Sequence, residues 1–94
     1  GDFDIIYFAL PNSGRLELFD YHGKNRNPAR EDSDCGLRHL AFKVKDVKAH
    51  ERVLLSEGVT ITLSTRDLPN LKSRVLLFLD PDGTTIEFCE KINE

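Results

Sequence analysis

The chain has 94 residues, of which 39% are hydrophobic and 31% are charged, and its formal net charge is −3. A chain of this length forms at most one domain with a modest core, and its weakly acidic balance gives no reason to expect nucleic acid or an anionic membrane as a partner. It contains no apolar run long enough to span a membrane and no signal-peptide pattern. The two cysteines, Cys35 and Cys89, are too few for a disulfide scaffold, so we expect a cytoplasmic protein in a reducing environment.

The first 21 residues predict a β-hairpin. Residues 4–10 are rich in β-branched and aromatic side chains, which favour a strand. A cluster of turn-forming residues follows, and then a second strand over residues 15–21. The alternation of this second strand places Glu17 on the face opposite Leu16 and Leu18.

Residues 22–36 interrupt this pattern. They are polar, contain a proline and two glycines, and show no periodicity. We therefore predict a linker loop whose charges are solvated.

From residue 37 onward the pattern predicts the order strand, helix, strand, strand, strand. Asp46 is suited to cap the start of the helix and Gly58 to end it. Val47, Val53 and Leu54 give the helix a short apolar stripe to lay on a sheet, with Ala49 or His50 beside them. The predicted elements are a strand over 37–44, a helix over 47–57, a strand over 59–63, a loop over 66–70 and a hairpin over 74–90.

The closing hairpin contains an acid in an unexpected place. Its turn, Asp80-Pro81-Asp82-Gly83, suits a type I geometry because proline fixes φ and glycine tolerates the exit from the turn. In the strand that follows, Ile86 and Phe88 point to one face and Glu87 to the other. A carboxylate in the middle of an otherwise apolar strand is costly unless something binds it.

A metal ion would bind such an acid. His39 lies on its own strand on the face away from the helix, and so does Glu87, while Glu17 occupies the equivalent place in the first hairpin. Imidazole and carboxylates together form a ligand set for divalent Zn, Ni, Co, Mn or Fe. Spacing alone leaves the alternative open, because a histidine beside a loop is usually a surface residue and a single glutamate is usually solvated.

The two hairpins also resemble each other. The segments LPNSGRLELF and LDPDGTTIEF both place a turn with glycine three or four residues before a glutamate, which is Glu17 in the first and Glu87 in the second. We therefore predict an α+β fold, in which a complete βαβββ module over 37–90 follows the last two strands of a first module. The expected division is a closing hairpin over 1–21, a linker over 22–36 and the full module over 37–94, within one domain.

Two segments carry a resemblance to a known family. GLRHLAFKVKDVKAHERVLLSEGV, followed by RVLLFLDPDGTTIEFCE, looks like the vicinal oxygen chelate superfamily, which includes glyoxalase I and bleomycin-resistance-type proteins. The resemblance implies one curved mixed sheet and one metal ligand from the first and the last strand of each module. Carried over by position, His39 and Glu87 are the ligands of the second module and Glu17 is the last-strand ligand of the first. The fourth ligand, on an opening strand, has no counterpart here, so we expect a longer parent polypeptide, a contribution from a partner chain, or a protein that does not bind metal as glyoxalase I does.

The resemblance also implies a reaction. We expect a metal-dependent lyase or isomerase resembling lactoylglutathione lyase, acting on a small molecule. The metal would stabilise charge that develops on neighbouring substrate oxygens, and Glu87 or Glu17 would act as the general base. Arg15 and Arg74 are weaker candidates for anchoring an anionic substrate, since both residue types are more often at the surface.

The same resemblance is compatible with other functions of the family and with a role for Cys89. Cys89 shares the face of Glu87, where a small wall residue is a simpler expectation than a nucleophile. A thiol transferase or an extradiol dioxygenase would need two histidines and one glutamate, and a drug-sequestering protein would need no metal.

Because Leu16 and Leu18 lack a helix to cover them, we also expect a homodimer.

Overall fold

The computed structural model of the protein describes residues 3–11, 13–23 and 39–92. The chain divides into two compact units, Gly1–Arg30 and Glu31–Glu94. Most of the predicted linker, together with Cys35, lies outside the described residues.

The first unit contains an antiparallel hairpin. Strands β1 (Asp4–Ala9) and β2 (Arg15–Asp20) pair directly, so that Tyr7 lies opposite Glu17 and Ile6 opposite Leu18. All six residues of β1 are exposed. The strand order of this hairpin is as predicted, and both of its faces present large apolar side chains to solvent.

The second unit is a four-stranded mixed sheet with one helix. Its strands lie in the order β3-β6-β5-β4, with β3 parallel to β6 and the other pairs antiparallel. This arrangement confirms the predicted α+β class and the order strand, helix, strand, strand, strand. The elements are β3 (His39–Lys43), α1 (Val47–Ser56), β4 (Ile61–Leu68), a short 3-10 turn (Pro69–Leu71), β5 (Ser73–Leu79) and β6 (Thr85–Lys91).

The helix begins and ends where its local signals predict. The Asp46 side chain accepts a hydrogen bond from the Ala49 N–H at 3.1 Å, which satisfies one of the free donors of the first turn. Gly58 follows the last turn with φ of 76°, a conformation that glycine adopts without strain. The prediction that Val53 belongs to the buried stripe is wrong, because Val53 is 59% exposed.

The core lies between α1 and one face of the sheet. Val47 and Leu76 are fully buried, and Phe78 is nearly so. The ring of Phe88 contacts those of Phe78 and His50 edge-on, with centroids 4.9 and 5.0 Å apart. His50 is itself exposed, but its ring reaches Phe88 because positions three and seven residues after Val47 lie on one helical face.

Strand β4 is longer than its sequence indicates. The structure continues it to Leu68, whereas residues 66–70 were predicted to be a loop. Pairing with β5 supplies the backbone hydrogen bonds, and Asp67 lies opposite Arg74, whose Nε donates to its carboxylate at 2.7 Å. Charged side chains are common on such edge strands, so polarity alone misled the prediction.

The turn between β5 and β6 follows the prediction. The Gly83 N–H donates to the Asp80 carbonyl at 3.0 Å, and Gly83 has φ of 84°. The Asp80 carboxylate accepts from the N–H groups of Asp82 and Thr84, which fixes the turn and therefore the register of β6. In the described part of the chain, no helix is both long and apolar enough to cross a membrane.

Candidate metal-binding site

The parallel pairing of β3 with β6 brings His39 and Glu87 together. Ala41 lies opposite Glu87, so His39 sits two residues earlier on the same face. The His39 Nε2 atom is 3.2 Å from Glu87 Oε1. We call this surface, which lies on the opposite side of the sheet from α1, the Glu87 face.

The separation of these two atoms fits adjacent ligands of one metal ion. Nitrogen and oxygen ligands bind zinc at about 2.0–2.2 Å, so two ligands at right or tetrahedral angles lie about 2.8–3.6 Å apart. The 3.2 Å distance falls in that range. It also fits an ion pair between the carboxylate and a protonated imidazole, so the distance alone allows both interactions.

Both side chains are accessible to a ligand. The His39 side chain is 44% exposed and the Glu87 side chain 24% exposed. The pair therefore lies at the surface of the sheet, where a substrate could approach it.

Glu17, the third predicted ligand, lies in the first unit. It is opposite Tyr7 in the hairpin, and its Oε1 is 3.6 Å from Arg15 Nη2. The guanidinium of Arg15 also stacks over the Tyr7 ring, 4.8 Å from its centroid. Arg15, a candidate substrate anchor, is thus engaged with residues of its own hairpin.

Arg74 lies on the opposite side of the sheet from Glu87. It is paired across the strands with Glu90, and its guanidinium contacts Glu90 at 3.6 Å and Asp67 at 2.7 Å. Glu90 in turn accepts a hydrogen bond from the Val47 N–H at the start of α1. The structure does not bring Arg74 to the candidate site, because the odd and even residues of β5 and β6 point to opposite faces.

The contacts of Arg74 with Asp67 and Glu90 join oppositely charged side chains. The hydrogen bond from Arg74 lowers the pKa of Asp67 and opposes the smaller effect of desolvation. The same bond raises the pKa of Arg74. Arg74 therefore connects the edge strand β4 to the helix N-terminus through two carboxylates.

Cys89 lies on the Glu87 face, as predicted. Its thiol donates to the Phe42 carbonyl at 3.6 Å. Burial, and then the charge of Glu87, raise the pKa of Cys89, while Lys43 opposes them. The thiol is therefore protonated at neutral pH, which suits a wall residue rather than a nucleophile.

A group of potential ligands in the hairpin was not anticipated from the sequence. Asp4 and Asp20 lie opposite each other in the register, and their carboxylates lie within 4.8 Å of the His22 imidazole. The strand pairing could have indicated the two acids, but not His22, which follows the strand. All three side chains are exposed, and such clusters are common without an ion, so we assign no site to them.

The second unit is one βαβββ module with a histidine on its first strand and a glutamate on its last. A family model described as the Glyoxalase/Bleomycin resistance protein/Dioxygenase superfamily matches residues 1–88. The chain belongs to this superfamily.

A curated protein matches most of the chain. The uncharacterized protein YaeR of Escherichia coli (strain K12) is 38% identical over 83 residues, which cover 88% of this chain and 63% of YaeR. The chain therefore spans less than two thirds of the length of this curated relative.

Solved structures share the fold. A glyoxylase/bleomycin resistance protein/dioxygenase domain from Frankia sp. EAN1pec superposes with a TM-score of 0.75 at 23% identity, covering 97% of this chain and 67% of the other. A lactoylglutathione lyase from Agrobacterium tumefaciens superposes with a TM-score of 0.62 at 22% identity, covering 92% and 67%. At these identities the likeness concerns the fold alone.

Proposed function

We propose that the protein is a metal-dependent lyase or isomerase of the glyoxalase I kind, acting on a small molecule with two neighbouring oxygens. The observation that carries the proposal is the 3.2 Å approach of His39 Nε2 to Glu87 Oε1 on adjacent parallel strands. The lactoylglutathione lyase among the structural relatives supports it only through the fold.

His39 and Glu87 would hold a divalent Zn, Ni, Co, Mn or Fe ion. When bound, such an ion supplies electrophilic stabilisation of negative charge on the substrate oxygens. Glu17 is the proposed third ligand, and a homodimer is the proposed assembly in which the site is completed.

Glu87 is also the proposed general base. Its carboxylate is only 24% exposed, and His39 lies beside it. A carboxylate held beside the substrate can accept a proton from a substrate carbon as a general base. In this role Oε1 or Oε2 takes the proton and returns it to a neighbouring atom of the substrate. Glu17 is the alternative base.

Metal analysis tests this proposal directly. The protein is purified without chelator, and its metal content is measured beside those of His39→Ala and Glu87→Gln. We expect bound divalent metal in the wild type and a loss of at least tenfold in affinity in each variant, since both ligands are needed. Glu57→Gln, which removes an exposed acid after α1, is the matched control and should keep the metal.

A second candidate is a metal-free protein that sequesters a small molecule or antibiotic. The observation that favours it is that the same 3.2 Å distance satisfies an ion pair without any metal. Protein that is folded by circular dichroism and takes up no metal in any variant would contradict the enzyme and support this candidate. A thiol transferase or extradiol dioxygenase would instead bind metal and leave Glu17→Gln without effect.

A further inference from the structure

We propose that the substrate of this site carries an anionic group, a carboxylate or a phosphate, and that Lys43 binds it. The inference rests on the proposed function, because it takes His39 and Glu87 as the place where the substrate oxygens are held. It adds a substrate class and a specificity-determining residue.

The register of β3 places Lys43 beside the pair. His39, Ala41 and Lys43 alternate onto the same face, and they lie opposite Thr85, Glu87 and Cys89 of β6. Along β3, therefore, Glu87 is flanked by His39 on one side and by Lys43 on the other. A strand rises about 3.3 Å per residue, so the backbones of His39 and Lys43 are about 13 Å apart.

The space between them is open. Ala41 is exposed and contributes only a methyl group directly beside Glu87. Cys89, the next residue of β6 on this face, has a small side chain. A substrate whose oxygens are held at His39 and Glu87 can thus extend over Ala41 towards the Lys43 ammonium.

The charge of Lys43 is available for a ligand. Lys43 is exposed, and no ion pair in the described part of the chain involves it. Lys43 lies directly opposite Cys89, which is two residues from Glu87 on the same face. A flexible ammonium group of this kind binds carboxylates and phosphates as a point charge.

Three arginines are less suitable than Lys43. Arg15 contacts Glu17 in the first unit, and Arg74 contacts two carboxylates on the opposite side of the sheet. Arg66 does share the Glu87 face, because it pairs with Val75, which lies opposite Cys89. It is two strands from β6, about 9.6 Å at the usual strand spacing, whereas Lys43 is on the adjacent strand.

Two hydroxamic acids test the inference. Acetohydroxamate chelates a metal through two neighbouring oxygens, and succinic acid monohydroxamate does so and also carries a carboxylate. Both are titrated calorimetrically into zinc-loaded protein. We expect the wild type to bind the carboxylated probe about three- to tenfold more tightly, as one exposed charge-assisted hydrogen bond provides, and we expect added salt to reduce the preference.

Variants separate the possible outcomes. Lys43→Gln should lose the preference for the carboxylated probe and keep the affinity for acetohydroxamate. Lys43→Arg should keep that preference, because it keeps the positive charge. Lys48→Gln on the helix is the matched control and should also keep it. If Lys43→Gln keeps the preference, the inference is overturned and the proposed function stands. If no zinc is bound, or if neither probe binds the zinc-loaded wild type, the proposed function and the inference both fail.

Discussion

The pKa of the Cys89 thiol depends on the charges of Glu87 and Lys43, which lie near it on the Glu87 face. Burial and Glu87 raise the pKa of its thiol, and Lys43 lowers it. We expect Glu87→Gln to move the pH profile of Cys89 alkylation by iodoacetamide to lower pH, and Lys43→Gln to move it to higher pH, because only the thiolate reacts.

The measurement must resolve the Cys89 peptide by mass spectrometry, since Cys35 is a second thiol. Lys48→Gln is the control and should leave the profile in place. A Glu87→Gln profile that coincides with that of the wild type would contradict the proposed proximity of the two side chains.

The ionisation of Asp67 makes the stability of the folded protein depend on pH in the acidic range. Because Arg74 lowers its pKa in the folded state, the folded protein binds fewer protons at this group than the unfolded chain. The stabilisation is therefore present above the unfolded pKa of about 3.9 and is lost as the pH falls through the lower folded pKa.

Asp67→Asn should accordingly destabilise the protein at pH 7 and have a smaller effect at pH 3. Urea unfolding at the two pH values measures this, with Asp82→Asn in the exposed turn examined for comparison. An equal loss at both pH values would show that the Asp67–Arg74 pair does not contribute through its charge.

At the scale of the elements, the helix is held to the sheet by a few buried side chains. Leu76 is completely buried beneath α1, so Leu76→Ala should lower the free energy of unfolding by about 2–5 kcal/mol. Val53→Ala, on the exposed side of the helix, should change it by about 0.5 kcal/mol or less. Denaturant unfolding compares the two, and similar losses would contradict the placement of the core.

Elements with local determinants could be predicted from the sequence. The α1 boundaries follow from Asp46 and Gly58, and the β5–β6 turn follows from proline and glycine at fixed positions. The extension of β4 could not be predicted, because its hydrogen bonds come from β5 and its polar residues carry no strand pattern.

The candidate site was predictable in part. Alternation placed His39 and Glu87 on one face, but their approach depends on the parallel pairing of β3 with β6. Arg74 forms ion pairs with Asp67 and Glu90 on the other face of the sheet. The alternation of the sequence does not indicate which residues of neighbouring strands an arginine will contact. Lys43 was overlooked because a lysine at the end of a strand has no distinctive pattern.

At the scale of the whole molecule, the hairpin is the proposed dimer surface. Ile6, Phe8 and Leu18 lie on one face of it and are each more than 40% exposed. An exposed apolar sheet face with open edges favours association, so we expect a dimer at micromolar concentration and a shift towards monomer in Leu18→Lys.

Sedimentation equilibrium provides the measurement. Leu71→Lys, an exposed apolar residue of the second unit, is the matched control and should leave the association unchanged. A wild-type protein that is monomeric at micromolar concentration would contradict the proposed dimer.

The strand order of the second unit determines when the site can form. β6 follows β4 and β5 in the sequence, yet it lies between β3 and β5, and among the described strands it is the one that pairs with β3. During synthesis, the pairing of His39 with β6 therefore has to wait until α1, β4 and β5 have emerged. Metal uptake would thus report completion of folding, and a ligand of the folded site would slow its unfolding by mass action.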